Sequence, residues 1–300
     1  MSLVPDSLVR VMQDLHGDAG RQWVESLPAI LWELSSRWGV EVGAPFPELS
    51  YNFVCEAVLP DGQPAVIKLG HPRDEAFWHE AEALRAFDGR GVVRLLAEAR
   101  DLTAMLIERA LPGASLLSLG DDEAMTEVAA RLLRDLHVPP PDAHRFPTLA
   151  DWGQGMRRLR ERYGGSSGPF PPRLLEAAEA CWRELLASQV RPMLLHGDCH
   201  HYNILSTEGG WVIIDPKGVV GDPAYEVAPF MLNPADVARS PRRVFERRLD
   251  IICDLTDLDR QRIVRWTVAH SILSAWWGVE DHGEPWTDAL AVGEIFCSML

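Results

Sequence analysis

Absences narrow the class of this chain before any motif does. Its longest apolar region, around Ser271 to Val279, is too short to span a bilayer and reads as a buried helix. The N-terminus has no basic region followed by an apolar stretch, so no signal peptide is expected. Cysteine is sparse and odd in number: Cys55, Cys181, Cys199, Cys253 and Cys297, with no pair in C-x-x-C spacing. That argues against a disulfide framework or a structural zinc site, and for a reducing, cytoplasmic setting. Positive charge is short as well. Lys plus Arg number 29 against 44 Asp plus Glu, a formal charge of −15. Such a surface repels nucleic acid and anionic lipid, so neither is an expected partner, and it favours a cationic small molecule. Much of that charge serves solubility alone. No internal repeat or low-complexity tract is visible.

Apolar residues make up 47% of the 300, ample for a packed core in one large domain or two modest lobes. Helical spacing of Leu8, Val11, Met12 and Leu15, then of Trp23, Leu27, Ile30, Leu31 and Leu34, predicts two helices parted near Gly17-Asp18. Phe53 to Leu59 and Ala65 to Leu69 flank Pro60-Asp61-Gly62 and read as a hairpin. A helix over 74–87 and strands over 92–97 and 104–108 follow. Leu111-Pro112-Gly113 reads as a hinge. Beyond it, helices are expected over 121–137, 173–188 and 242–279, a loop over 164–169, and two short apolar segments, Pro192 to Leu195 and Trp211 to Ile214. The reading is a sheet-containing lobe, 1–110, with a helical N-terminal extension, and a mostly helical lobe, 111–300.

The chemistry concentrates in Leu195-His196-Gly197-Asp198-Cys199-His200-His201-Tyr202-Asn203, with Asp215 closing the apolar Trp211–Ile214 segment. An Asp, an Asn five residues on and a second Asp suit phosphoryl transfer. One carboxylate orients the attacking hydroxyl and accepts its proton, and an amide oxygen and the other carboxylate hold Mg²⁺ against phosphates. Upstream, Lys68 sits inside the apolar strand Ala65-Val66-Ile67-Lys68. A lysine there is costly unless paired, and phosphate oxygens and a helix glutamate are suitable partners. Glu80 shares a helix face with Leu84 and Phe87 and is the expected partner, with Glu82 as the rival.

The H-G-D-x-x-x-x-N motif, the downstream Ile214-Asp215-Pro216 and the strand Ala65-Val66-Ile67-Lys68 together resemble the aminoglycoside phosphotransferases, which have a two-lobed, α+β, protein-kinase-like fold. Asp215-Pro216-Lys217-Gly218, Gly221-Asp222-Pro223-Ala224-Tyr225-Glu226 and Leu111-Pro112-Gly113-Ala114-Ser115-Leu116 resemble the streptomycin 6-phosphotransferase and hydroxyurea kinase branch, over essentially the whole chain. The resemblance implies Asp198 as catalytic base, Asn203 and Asp215 as Mg²⁺ ligands, and Lys68 on the α and β phosphates with Glu80 holding it. It implies an adenine-binding backbone at Glu108, Arg109 and Ala110, and Asp222 as a structural carboxylate. ATP is the implied donor, with GTP still open, and it would lie between the lobes.

Two departures bear on this. Where a glycine-rich phosphate loop is expected, the chain reads Leu49-Ser50-Tyr51-Asn52-Phe53, so the side chains of Ser50 and Asn52 would have to donate to phosphate. Gly197 stands where protein kinases have the arginine that reads a phosphorylated loop, which argues against a protein substrate. Two other classes compete. A nucleotide-binding scaffold without catalysis would explain the missing glycines. A zinc hydrolase would explain His196, His200, His201 and Asp198 as a ligand cluster, but it leaves Lys68 and Asp215 without a purpose. His196 is otherwise expected to fix the loop, Cys199 to fill space, and Trp276 and Trp277 to form core. The acidic run Glu280, Asp281, Glu284 and Asp288 reads equally as substrate-facing or solvated. The acceptor classes that fit are aminoglycosides such as streptomycin, hydroxyurea and other small hydroxyl compounds.

Overall fold

The structure is a computed structural model that describes residues 4–47, 49 and 51–300. The chain divides into two compact units, Met1–Ala110 and Leu111–Leu300.

In the first unit, helices α1 (Asp6–His16) and α2 (Asp18–Trp38) precede strands β1 (Glu41–Pro45), β2 (Phe53–Val58) and β3 (Pro64–Leu69). Helix α3 (Ala76–Phe87) and strands β4 (Leu95–Ala99) and β5 (Ala104–Glu108) complete it. The strands form one antiparallel sheet in the order β1-β2-β3-β5-β4. Gly17, at φ 58, makes the corner between α1 and α2 in a conformation that glycine adopts without a steric cost. Trp23, Leu27, Leu31 and Leu34 recur at helical spacing along α2 and are buried. They join one hydrophobic cluster with Phe53, Cys55 and Ala57 of β2 and Ala65, Ile67 and Leu69 of β3. The alternate residues of β3, Val66 and Lys68, point to the opposite face, because side chains alternate along a strand. Both faces of β3 are therefore covered, which is why it reads as an unbroken apolar run with one lysine inside it.

The second unit opens with β6 (Pro112–Ser115), α4 (Asp122–Leu136), α5 (Leu149–Trp152), α6 (Gln154–Arg162) and α7 (Pro172–Ala187). Strands β7 (Met193–Leu195), β8 (Ile204–Thr207), β9 (Gly210–Ile213) and β10 (Val219–Gly221) follow. Helices α8 (Ala228–Met231), α9 (Arg242–Thr256), α10 (Arg260–His282) and α11 (Thr287–Cys297) close the chain. β10 pairs with β7, and β6, β8 and β9 form a small antiparallel sheet. The helical stretch over 242–279 consists of two helices, α9 and α10. Asp257, at φ 54, ends α9, and the Asp259 carboxylate caps α10 by accepting the Arg262 N–H at 2.7 Å. α10 is buried along most of its length, from Ile263 to Trp276.

Two buried ionic knots fix the frame. The Arg248 side chain on α9 is 1% exposed; it donates to Asp122 Oδ1 on α4 at 2.6 Å and to the carbonyls of Phe230 and Asn233. Asp222, after β10, accepts from Arg262 Nε at 2.8 Å and Trp266 Nε1 at 2.9 Å, both on α10, and from the Ala224 N–H at 3.1 Å. Removing one partner of such a buried pair costs about 3–5 kcal/mol.

Candidate active site

In the first unit, Lys68 Nζ donates to Glu80 Oε1 at 2.8 Å and Oε2 at 2.7 Å. Lys68 is 4% exposed and Glu80 7%, so each charge is held out of water by the other. Glu82 lies elsewhere on α3, 3.6 Å from Arg100. The hinge residues continue β5. The Glu108 backbone N–H donates to the Arg94 carbonyl at 2.9 Å, and the Arg109 guanidinium pairs with Glu56 at 2.5 Å. Ser50 lies outside the described residues. Asn52, directly before β2, has a buried amide oxygen with no hydrogen-bond partner among the described residues.

In the second unit, β7 delivers the chain into the His196–Asn203 loop, and the end of β9 delivers it to Asp215. The backbone N–H groups of His196 and Gly197 both donate to Glu226, at 2.6 Å to Oε2 and 2.8 Å to Oε1. Glu226 is fully buried, and burial pushes its carboxyl up to about 7, against those two N–H groups, which favour the ionised form. Burial likewise pushes His196 down to about 4, so its ring is neutral at pH 7. A neutral imidazole has one acceptor and one donor. Nδ1 accepts the Asp198 N–H at 3.2 Å, and Nε2 donates to the Ile214 carbonyl at 2.8 Å.

Asn203 is oriented by the loop it ends. Its Nδ2 donates to the Asp198 backbone carbonyl at 2.9 Å and lies 3.5 Å from Asp198 Oδ2. Its backbone carbonyl accepts the Ile214 N–H at 2.8 Å. With the nitrogen turned into the loop, the amide offers its oxygen as the group for a ligand. Asp215 follows at φ 62, a left-handed conformation that costs a non-glycine residue about 1 kcal/mol or more and gathers at functional sites. The Asp198 carboxylate, 31% exposed, has His200 Nε2 at 3.4 Å from Oδ1 and Lys217 Nζ at 3.4 Å from Oδ2. The loop thus brings Asp198, Asn203 and Asp215 onto one hydrogen-bonded frame.

The histidines do not converge on a metal. Both ring nitrogens of His196 are spent on backbone groups. His201 is buried and stacks on Phe230 at 4.2 Å, with burial pushing it down to about 2. Among the described residues, no group of three or more His, Cys, Asp and Glu side chains is arranged to hold a metal ion. Cys199 is buried, and burial raises its thiol well above the ordinary range, so it stays protonated and fills space. Trp276 is core, at 4% exposed. Trp277 is not: it is half-buried, edge-on to Trp152 at 5.4 Å. Its place one residue on turns it out of the α10 core. Glu280 is spent on Arg158 at 2.7 Å.

Glu226 is the residue whose work sequence reasoning missed. Its local signals were a carboxylate set between the apolar neighbours Tyr225 and Val227 and its place at the end of the Gly221–Glu226 segment.

A sheet-bearing unit with a buried Lys–Glu pair, and a helical unit carrying an Asp–Asn loop beside a second Asp, define the protein-kinase-like phosphotransferase class. The family model "Aminoglycoside/hydroxyurea antibiotic resistance kinase" matches residues 37–282, and the chain belongs to that family. A streptomycin 6-kinase of Streptomyces glaucescens is 32% identical over 93% of this chain and 91% of its own length. A hydroxyurea phosphotransferase of Kitasatospora aureofaciens is 34% identical over 93% of this chain and 81% of its own. Among solved structures, the choline kinase LicA of Streptococcus pneumoniae shares the fold, with a TM-score of 0.64 at 15% identity over 91% of this chain and 99% of that one. No helix among the described residues is long and apolar enough to cross a membrane.

Proposed function

We propose that this protein transfers the γ-phosphoryl group of ATP to a hydroxyl of a small polar acceptor, with a streptomycin-type aminoglycoside or hydroxyurea as the leading acceptors. The observation that carries the reading is the loop geometry: Asp198 and Asn203 are locked to each other, and through His196 to the strand end that bears Asp215. The names of the two relatives favour these acceptors, and the charge of −15 favours a cationic one.

The acceptor oxygen attacks the γ-phosphorus. The bond from that phosphorus to the β,γ-bridging oxygen breaks, its electron pair leaves with ADP, and the hydroxyl proton passes to the Asp198 carboxylate. Lys68 faces the α and β phosphates while Glu80 holds its ammonium in place. The backbone at Glu108, Arg109 and Ala110 receives the adenine. Ser50 and the amide nitrogen of Asn52 donate to phosphate in place of a glycine-rich loop. The donor set of Asn203 Oδ1 and the Asp215 carboxylate is all oxygen and only two strong, which suits Mg²⁺ shared with phosphates better than a protein-enclosed metal. Bound there, Mg²⁺ would neutralise phosphate charge. An ATP donor favours a cytoplasmic setting for the reaction.

The test is ATP consumption with Mg²⁺ against streptomycin, other aminoglycosides, hydroxyurea, and small alcohols and sugars, with Asp198→Ala alongside. The expected result is turnover with one acceptor, lowered at least ~10²-fold in the variant while ATP still binds. Near-normal turnover by the variant would remove Asp198 from the mechanism. Nucleotide binding without turnover on any acceptor would favour a non-catalytic scaffold.

A further inference from the structure

Of the 29 Lys and Arg residues, only Lys68 and Lys217 are lysine; every other is arginine. Every cationic position apart from these two is filled by arginine, on the surface and in the core. A lysine therefore marks a place where a compact ammonium serves and a planar fork does not. Lys68 is accounted for by its buried seat against Glu80. Lys217 is on no such seat, since its side chain is 51% exposed.

Its backbone is nonetheless fixed. The Lys217 N–H donates to the His196 carbonyl at 2.7 Å, Pro216 before it is buried, and Gly218 after it holds φ 62. This anchor sets the ammonium 3.4 Å from Asp198 Oδ2. Of the other nitrogen groups at that carboxylate, Asn203 offers an amide 3.5 Å from Oδ2 and His200 an imidazole 3.4 Å from Oδ1. Lys217 brings the ammonium to the Asp198 side chain.

We propose that Lys217 is a further catalytic cation of the transfer: its ammonium orients the Asp198 carboxylate toward the acceptor hydroxyl and contacts the phosphoryl group as it moves. The assignment rests on the phosphotransferase reading above. An ammonium carries three donors on a flexible stem and can serve two anions at once. An arginine would instead lock its fork onto both carboxylate oxygens and take them from the hydroxyl. Charge on the phosphoryl oxygens in flight is what a positioned cation stabilises, and removing one such group costs on the order of 10²–10³ in turnover.

The experiment compares wild type, Asp198→Ala, Lys217→Met, Lys217→Arg and Lys217→Cys with ATP, Mg²⁺ and streptomycin, or another acceptor if the panel names one. Lys217→Met is expected to lower kcat by ~10²-fold or more, with KM for ATP and acceptor changed by less than ~3-fold and the urea midpoint unchanged. Lys217→Arg is expected to lose at least ~10-fold although the charge is kept. Alkylation of the Lys217→Cys protein with 2-bromoethylamine joins Sγ to an aminoethyl group as bromide leaves, which restores an ammonium at nearly the same reach. It is expected to raise kcat at least ~10-fold, while the same treatment leaves wild type and Lys217→Met as they were. A merely structural residue would not respond to that restored charge. The proposal is overturned by full kcat in Lys217→Met or Lys217→Arg, by an effect on KM alone, or by no recovery on alkylation. If Asp198→Ala is dead and Lys217→Met intact, only this assignment fails. If wild type transfers phosphate to no acceptor, the phosphotransferase reading fails and this assignment goes with it.

Discussion

The ring Nε2 of His196 donates to the backbone carbonyl of Ile214 at 2.8 Å, and so ties the loop that carries Asp198 to the strand end that carries Asp215. The other ring nitrogen accepts the Asp198 N–H, so one buried side chain sets the spacing of two functional carboxylates. His196→Ala orphans both backbone groups, at about 1–3 kcal/mol each. It also loosens the loop, and a displacement of about 1 Å at a reacting group is worth on the order of 10² in rate. The expected outcome is a kcat fall of that size, beyond what the fraction unfolded explains. Steady-state kinetics and urea unfolding on one preparation check it; a drop in stability with full kcat would show that the tie does not position Asp198.

Gly197 cannot be another residue without moving its surroundings. It holds φ 83, and a Cβ there would lie 2.8 Å from Trp152 Cη2 and 2.9 Å from Val219 Cγ1. Left-handed backbone costs an alanine about 1–2 kcal/mol, and the two contacts add overpacking of about 1–3 kcal/mol. Gly197→Ala should therefore lower both stability and turnover, the latter because the residue adjoins Asp198. Thermal melting and kcat measure the two effects. A fully stable, fully active Gly197→Ala would mean that the loop yields where its packing indicates that it should not.

Local pattern carried much of the architecture into view and non-local pairing carried the rest out of it. The β2–β3 hairpin was legible because turn residues separate two apolar runs. The Asp198 loop was legible because its spacing is short. β1 was not: Gly43, Pro45 and Pro47 break the apolar pattern, and the strand forms only because β2 offers it an edge. β6 reads as a hinge because it begins Pro112-Gly113, and it becomes a strand only by pairing with β8, nearly a hundred residues on. Glu80 was legible from its helix face. Glu226 and Arg248 were not, because what makes each a structural centre is a partner distant in sequence, the His196–Gly197 backbone and Asp122.

Glu80 and Glu82 sit two residues apart on α3 and should behave oppositely. Glu80→Gln removes the charge that holds the buried Lys68 ammonium, and is expected to raise KM for ATP at least ~10-fold and to destabilise the fold by about 3–5 kcal/mol at most. Glu82 stands 3.6 Å from Arg100 with both side chains partly exposed, a pair of the kind worth about 1 kcal/mol or less. Glu82→Gln should leave KM and stability near wild type. ATP titrations of initial rate decide between them, and a larger KM effect at Glu82 would reverse the assignment.

Buried neutral histidines make the fold acid-sensitive. His270, 4% exposed, shares a hydrogen bond of 2.7 Å with the Tyr225 hydroxyl, and burial holds it at about 4, as it holds His196 at about 4 and His201 at about 2. Each lies below its ordinary 6.5, so the unfolded chain binds more protons, and the stability they contribute is present above pH 6.5 and is lost as pH falls toward 4. Glu226, raised to about 7, has the opposite sign: its contribution is present below 4.5 and is lost as pH rises through 7. Three histidines outweigh one carboxylate, so stability should fall from pH 7.5 to pH 5. His270 alone accounts for about 2 kcal/mol of that fall, at 1.36 kcal/mol per pH unit. His270→Gln keeps a hydrogen-bonding group, donor or acceptor, for Tyr225 and cannot titrate. Urea unfolding at both pH values should show the loss shrink by that amount in the variant, and an unchanged loss would mean that His270 is not among the groups that acid attacks.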